Sequence, residues 1–183
     1  MTTSTVNQKL NLYENNMGDS GAQAFAKALF VNRSIHELQL SGNNIGDSGI
    51  QALAEALHNN SSLTILILGL NNFRAKGAMA LANALRINTT LCELDLGENA
   101  IGDSGVQALA DALRDNASLK ELKLSDNNIG DYGAQALAEA LYANTSLQKL
   151  EIDSKSEKIG VSVRKALDYV QHIKPYLKIV YTS

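Results

Sequence analysis

Leu91–Asn99 reads L-C-E-L-D-L-G-E-N. Within it Leu94 and Leu96 alternate with Glu93 and Asp95, the period of two by which a strand sends apolar side chains to one face and charged ones to the other. The same text returns on both sides. Leu10, Leu38, Leu66, Leu94, Leu122 and Leu150 stand 28 residues apart, and behind each of the first five come an Asn, a turn with glycines, an alanine-rich run and a second Asn. A fixed period of this size marks a solenoid, whose units bury their apolar faces against one another.

The unit around Leu91 shows how each repeat folds. After the strand, Asn99 sits where the chain turns; a column of such residues (Asn15, Asn43, Asn71, Asn99, Asn127) can satisfy loop backbone groups between units, because an amide both donates and accepts. In I-G-D-S-G, Gly102 suits a turn conformation costly for other residues, and Asp103 is expected to cap the helix that follows it. In V-Q-A-L-A-D-A-L, Val106, Leu109, Ala110 and Leu113 form one buried stripe, while Gln107, Asp111 and Arg114 face solvent. Small alanines let helices stack closely. Each strand returns in the same direction after a helix, so the expected fold is α/β: a horseshoe arc with a parallel sheet on the concave side and helices on the convex side.

These motifs resemble the leucine-rich repeats of the ribonuclease-inhibitor-like subfamily. L-x-x-L-x-L-x-x-N at Leu63–Asn71, Leu91–Asn99 and Leu119–Asn127, each with an alanine-rich helix behind it, carries the resemblance. Similar repeats occur in ribonuclease inhibitor, Ran GTPase-activating proteins, tropomodulins and the C-terminal sensor regions of NOD-like receptors. The wording N-N-I-G-D-S-G is most similar to the last group and to related intracellular bacterial repeats. The alternation of two repeat lengths typical of ribonuclease inhibitor is absent, so ribonuclease binding is not implied.

The unbroken period reads as one domain over 1–183, with five regular repeats and a sixth strand over about 7–152 and an atypical closing unit over 153–183. At the start, Val6 and Leu10 enter the first strand with no capping helix in view, so its flank is expected to be open, docked, or continued by a larger protein. At the other end the loop D-S-K-S-E-K loses the Asn, a helix is expected from about Val161 to Ile173, ending before Pro175, and Y-L-K-I-V-Y reads as a last edge strand. Lys155, Lys158, Arg164, Lys165, Lys174 and Lys178 are expected to keep that end solvated.

The net charge of −3 argues against a general nucleic-acid or membrane-surface binder. The longest apolar stretch, Leu63–Leu70, is far short of a membrane span, the start has no apolar secretory core, and the lone Cys92 favours a reducing compartment. These features point to the cytoplasm. Sequons at Asn32, Asn60, Asn88, Asn116 and Asn144 recur in phase, with Asn59 opening a sixth; they read as left-handed helix C-caps rather than glycan acceptors.

G-D-S-G overlaps a serine-protease signature, but Ser20, Ser48 and Ser104 recur in phase with no positioned base, so no catalytic residue is assigned. Neither metal nor cofactor is expected, since no histidines share a near spacing and Cys92 has no partner cysteine.

Strand parity instead nominates the concave face for a protein partner. Tyr13, Glu37 and Gln39 lead into the third repeat's Ile65 and Ile67, with Leu70 beside them. Glu93, Asp95 and Glu98, then Glu121 and Lys123, continue the face. It is mostly acidic, which favours a partner with a basic surface. An exposed apolar spot rimmed by acids is how the centre of an interface looks. The third repeat's turn, F-R-A-K-G, also departs from its neighbours. An alternative follows from the likeness to Ran GTPase-activating proteins, a regulator acting in trans from one rim through Asn72, Arg74 and Lys76.

Overall fold

The computed structural model describes residues 8–153 and 160–182. Strands and helices alternate throughout: β1 (Gln8–Asn11), α1 (Gly18–Val31), β2 (Ile35–Gln39), α2 (Asp47–Leu57), β3 (Ile65–Ile67), α3 (Ala75–Leu85) and β4 (Glu93–Asp95). They continue as α4 (Gly102–Asp115), β5 (Glu121–Lys123), α5 (Asp131–Ala143), β6 (Lys149–Asp153), α6 (Val161–Ile173) and β7 (Lys178–Thr182). The seven strands form one parallel sheet in chain order, and each helix packs on the next. This is the α/β solenoid expected from the period.

Register follows the leucines. Leu38, Leu66, Leu94, Leu122 and Leu150 pair across successive strands and are fully buried. The helices meet them with Val106, Leu109, Ala110, Ala112 and Leu113 in α4, all fully buried, and with the equivalent residues elsewhere. Close stacking is visible at Gly105, where an added Cβ would lie 3.0 Å from that of Ala78. No helix of the described residues is long and apolar enough to cross a membrane.

The arc has two rims. On the helix-to-strand rim four of the sequon asparagines, Asn60, Asn88, Asn116 and Asn144, are buried struts. Asn116 donates through Nδ2 to the carbonyls of Leu85 (2.7 Å) and Asn88 (3.3 Å) in the preceding repeat. Its Oδ1 accepts from its own repeat's Ser118 and Leu119 backbone N–H groups at 3.0 and 2.8 Å. Asn60, Asn88 and Asn144 repeat the pattern. The struts do not sit in the left-handed region: Asn116 and Asn144 are extended, because the side chain, not the backbone, closes the helix, and Asn32 at the end of α1 is extended too. The column ends unexpectedly at Lys174. Its ammonium donates to the carbonyls of Leu141 and Asn144, the positions an asparagine would bond, so this lysine is structural rather than simply solvated. Lys165 and Lys178 are exposed, and Arg164 stands 5.9 Å from the Tyr181 ring. Val6, Lys155, Lys158 and most of the D-S-K-S-E-K loop lie outside the described residues.

On the strand-to-helix rim the aspartate does not cap its own helix. Asp103 Oδ1 accepts from Gly130 (2.7 Å) and Gly133 (3.0 Å), at the start of the next repeat's α5. Asp19 and Asp47 do the same for α2 and α3. The reason is geometric: stacked units place each aspartate beside the following helix's free N–H groups.

Candidate functional site

The inward side chains of the strands make two rows. Lys9, Glu37, Ile65, Glu93, Glu121, Lys149 and Lys178 are in register across the sheet, and Asn11, Gln39, Ile67, Asp95, Lys123, Glu151 and Val180 form the next row. The structure thus brings together Glu37, Gln39, Ile65, Ile67, Glu93, Asp95, Glu121 and Lys123 as strand parity requires.

The face is less acidic than its residue list. Lys123 lies 3.2 Å from Glu93, 3.6 Å from Asp95 and 3.6 Å from Glu121. Lys149 bridges Glu121 and Glu151, and Lys9 pairs with Glu37. Burial works to lower the Lys123 pKa, but the carboxylates of Asp95, Glu93 and Glu121 outweigh it and hold the ammonium above its ordinary value. Hydrogen bonds to Glu121 and Glu151 likewise raise Lys149. The lysines therefore neutralise much of the charge that parity alone assigns to the row.

The third repeat interrupts this network. Ile65 and Ile67 are half-buried between Glu37 and Gln39 on one side and Glu93 and Asp95 on the other, and neither can join an ion pair. Beyond them Gly69 and Gly97 leave a low floor; a Cβ on Gly69 would lie 3.2 Å from the Gly97 carbonyl oxygen. Leu70 closes the spot, 44% exposed and at φ +55°. The equivalent positions Glu14, Gly42, Glu98 and Asp126 share that left-handed conformation, which costs a side-chain-bearing residue roughly 1 kcal/mol. Tyr13, 45% exposed, stands two repeats earlier at the end of the first strand, in phase with Gly69. Hydrogen bonding to the Glu14 carboxylate, with the charge of Glu14 and the farther Glu98, raises its phenol above the ordinary value. Among the described residues Glu14, Glu98 and Asp126 have no ion pair, in contrast to the strand acids.

The family model described as the TMOD/LMOD leucine-rich domain matches residues 67–182, well over half of the chain. The chain belongs to that family. A general leucine-rich-repeat model matches residues 8–26 and 31–54. Of the groups its motifs resemble, the family match falls on the tropomodulin one. No curated protein matches in sequence. Among solved structures, leiomodin-1 actin-binding site 2 is similar at TM-score 0.71 and 23% identity, over 82% of this chain and 86% of that one. The tropomodulin C-terminal domain of Caenorhabditis elegans is similar at TM-score 0.63 and 14% identity, over 92% of this chain and 84% of that one. At such identities the likeness is one of fold.

In this TMOD/LMOD-type domain, the rim residues of the alternative stand apart from the concave patch. Asn72 and Lys76 are exposed, Asn72 Nδ2 donates to Asn44 Oδ1 (3.3 Å), and the Arg74 backbone N–H donates to Asp47 (2.8 Å). The family match gives the GTPase-activating alternative no support. Ser48, one of the G-D-S-G serines, donates its hydroxyl to Asp19 at 2.6 Å, a structural bond. No group of three metal-ligating side chains occurs among the described residues. What sequence reading missed is Ala75, which stands where other repeats carry the capping aspartate; aligning F-R-A-K-G under I-G-D-S-G already displays it.

Proposed function

We propose that this chain is a non-enzymatic, cytoplasmic protein-binding module that takes its partner on the concave face, at Ile65, Ile67 and Leu70, with Tyr13 two repeats earlier. The third repeat carries the reading. Every other described strand from β1 to β6 fills its inward positions with polar or charged groups, while this one presents aliphatic side chains and an exposed leucine in a conformation that disfavours it. Such a spot gains by being covered. Glu14, Glu98 and Asp126, which have no ion pair among the described residues, favour basic groups on the partner, whereas the lysine-paired acids farther along do not. Since the leiomodin-1 domain of this fold is an actin-binding site, actin is the partner to test first.

The experiment is actin co-sedimentation with native protein, Ile67→Glu and Leu70→Asn. Ile67→Glu should weaken binding at least about tenfold while changing stability by less than about 1 kcal/mol, the usual size at a partly exposed position. Leu70→Asn should also weaken binding, yet leave stability unchanged or higher, because asparagine accepts the left-handed backbone. Binding unaffected by either change would remove the concave face from the proposal. Absence of actin binding by the native protein would remove the partner.

A further inference from the structure

Helix entries in this solenoid take two backbone forms. Gly46, Arg74, Gly130 and Gly160 are extended, and their N–H groups donate backward to Asp19, Asp47, Asp103 and Asp131 of the preceding repeat. Among the described residues Gly18 and Gly102 have no such carboxylate behind them. Both are left-handed, at φ +60° and +63°, and their N–H groups point forward to the carbonyls of Asn43 and Asn127 at 2.8 and 2.9 Å. For Gly102 the cause is local: the preceding repeat offers Ala75.

Two more links fail at the same joint. Asn43 and Asn71 accept through Oδ1 from backbone N–H groups of the repeat before them. Asn99 Oδ1 is buried with no partner. The side-chain ladder Asn16–Asn44–Asn72 stops because the next residue is Ala100. The opposite rim is intact at this joint, held by Asn116, and the leucine core runs through without a break.

We propose that the helix-entry peptide is a two-position latch set by the preceding repeat's carboxylate, and that the unlatched joint between the third and fourth repeats is the hinge of the solenoid. Opening turns the two halves about the Asn88–Asn116 edge and widens the concave face between Ile67 and Asp95. Backbone links from Leu70 to Gly97 (3.0 Å) and from Ala100 to Phe73 (3.2 Å) limit the movement. The socket for a latch remains. A Cβ on Gly105 would lie 3.1 Å from Ala75 Cα, as one on Gly133 would lie 3.2 Å from Asp103 Cα.

Hydrogen exchange read by mass spectrometry tests this without any partner. Amides of residues 98–105 should exchange on the order of tenfold faster than those of 126–133, the same loop one repeat on. Ala75→Asp should abolish that difference and leave residues 114–119, on the other rim, unchanged. Gly102→Ala should lower the melting temperature of the native protein, because its backbone is left-handed, and should lose most of that effect alongside Ala75→Asp, because the latched form is extended as at Arg74. The converse variant, Asp103→Ala, should unlatch the next joint and speed exchange at 126–133 by a similar factor. Equal exchange in the two native loops overturns the proposal. So does a Gly102→Ala penalty indifferent to Ala75→Asp, or an Asp103→Ala protein with unchanged exchange.

Discussion

Asparagine columns run along both rims, yet the helix-to-strand column is continuous from Asn60 to Asn144 while the strand-to-helix column is incomplete at Asn99. The residue type is the same and the spacing is the same. What differs is whom each amide serves. In the continuous column Oδ1 accepts from the asparagine's own repeat, as at Ser118 and Leu119, and only Nδ2 reaches back, to carbonyls of a helix end and the strut before it. In the other column Oδ1 depends on N–H groups in the preceding loop, so any change in that loop's path can orphan it. Variation is therefore tolerated on the rim next to the candidate patch and suppressed on the rim that holds the stack.

The sharpest way to break this contrast is Asn116→Leu. It orphans the Leu85 carbonyl and the N–H groups of Ser118 and Leu119, and leaves the Asn88 carbonyl with only the 3.4 Å bond from the Ser118 hydroxyl. At about 1–3 kcal/mol for each buried unpaired group, we expect a loss above about 3 kcal/mol, read as a drop of roughly 6–12 °C in melting temperature. A drop under about 2 °C would mean that water replaces the strut and that the continuous column is not what holds the repeats.

A finer comparison sets Asn71→Ala against Asn99→Ala. Both remove three Nδ2 bonds to neighbouring carbonyls. Only Asn71 also accepts, from Asn43 at 3.1 Å and Ile45 at 2.9 Å. Asn71→Ala should therefore cost more, by about 1–3 kcal/mol, in chemical denaturation. Equal losses would show that Asn99 Oδ1 finds a partner in solution.

These residues also mark where sequence reading succeeds. The period gives the sheet, its register and the buried leucines, because a two-residue alternation and a 28-residue return leave one way to stack. It likewise places Ile65 and Ile67 on the inner face. It could not tell that Asp103 serves the next helix, since sequence adjacency favours the local cap and only stacking reveals the neighbour. Parity overstates the charge of the face for a similar reason: it lists the acids, but Lys123 and Lys149 lie between them in space. The role of Lys174 is not legible in the sequence, because an ammonium taking over the work of an amide has no period to betray it.

Acid should weaken one rim before the other, and by the smallest margin of these effects. The helix-to-strand rim is held by amides and an ammonium, whereas the strand-to-helix rim uses carboxylates. Asp19 accepts from the Ser48 hydroxyl, and this bond, opposed by some desolvation and reinforced by the N–H groups of Gly46 and Gly49, lowers its pKa below the ordinary 3.8. Folding therefore favours the ionised form, so its contribution is complete above the unfolded value and is lost as pH falls through the folded one. The stability gap between native protein and Asp19→Asn should be full at about pH 6 and narrow below about pH 4. Ser48→Ala should reduce the gap at pH 6 by no more than about 1 kcal/mol, the typical worth of one exposed hydrogen bond. A gap that widened on acidification would reverse the sign and show that Asp19 is held protonated, which would leave the first latch without its charge.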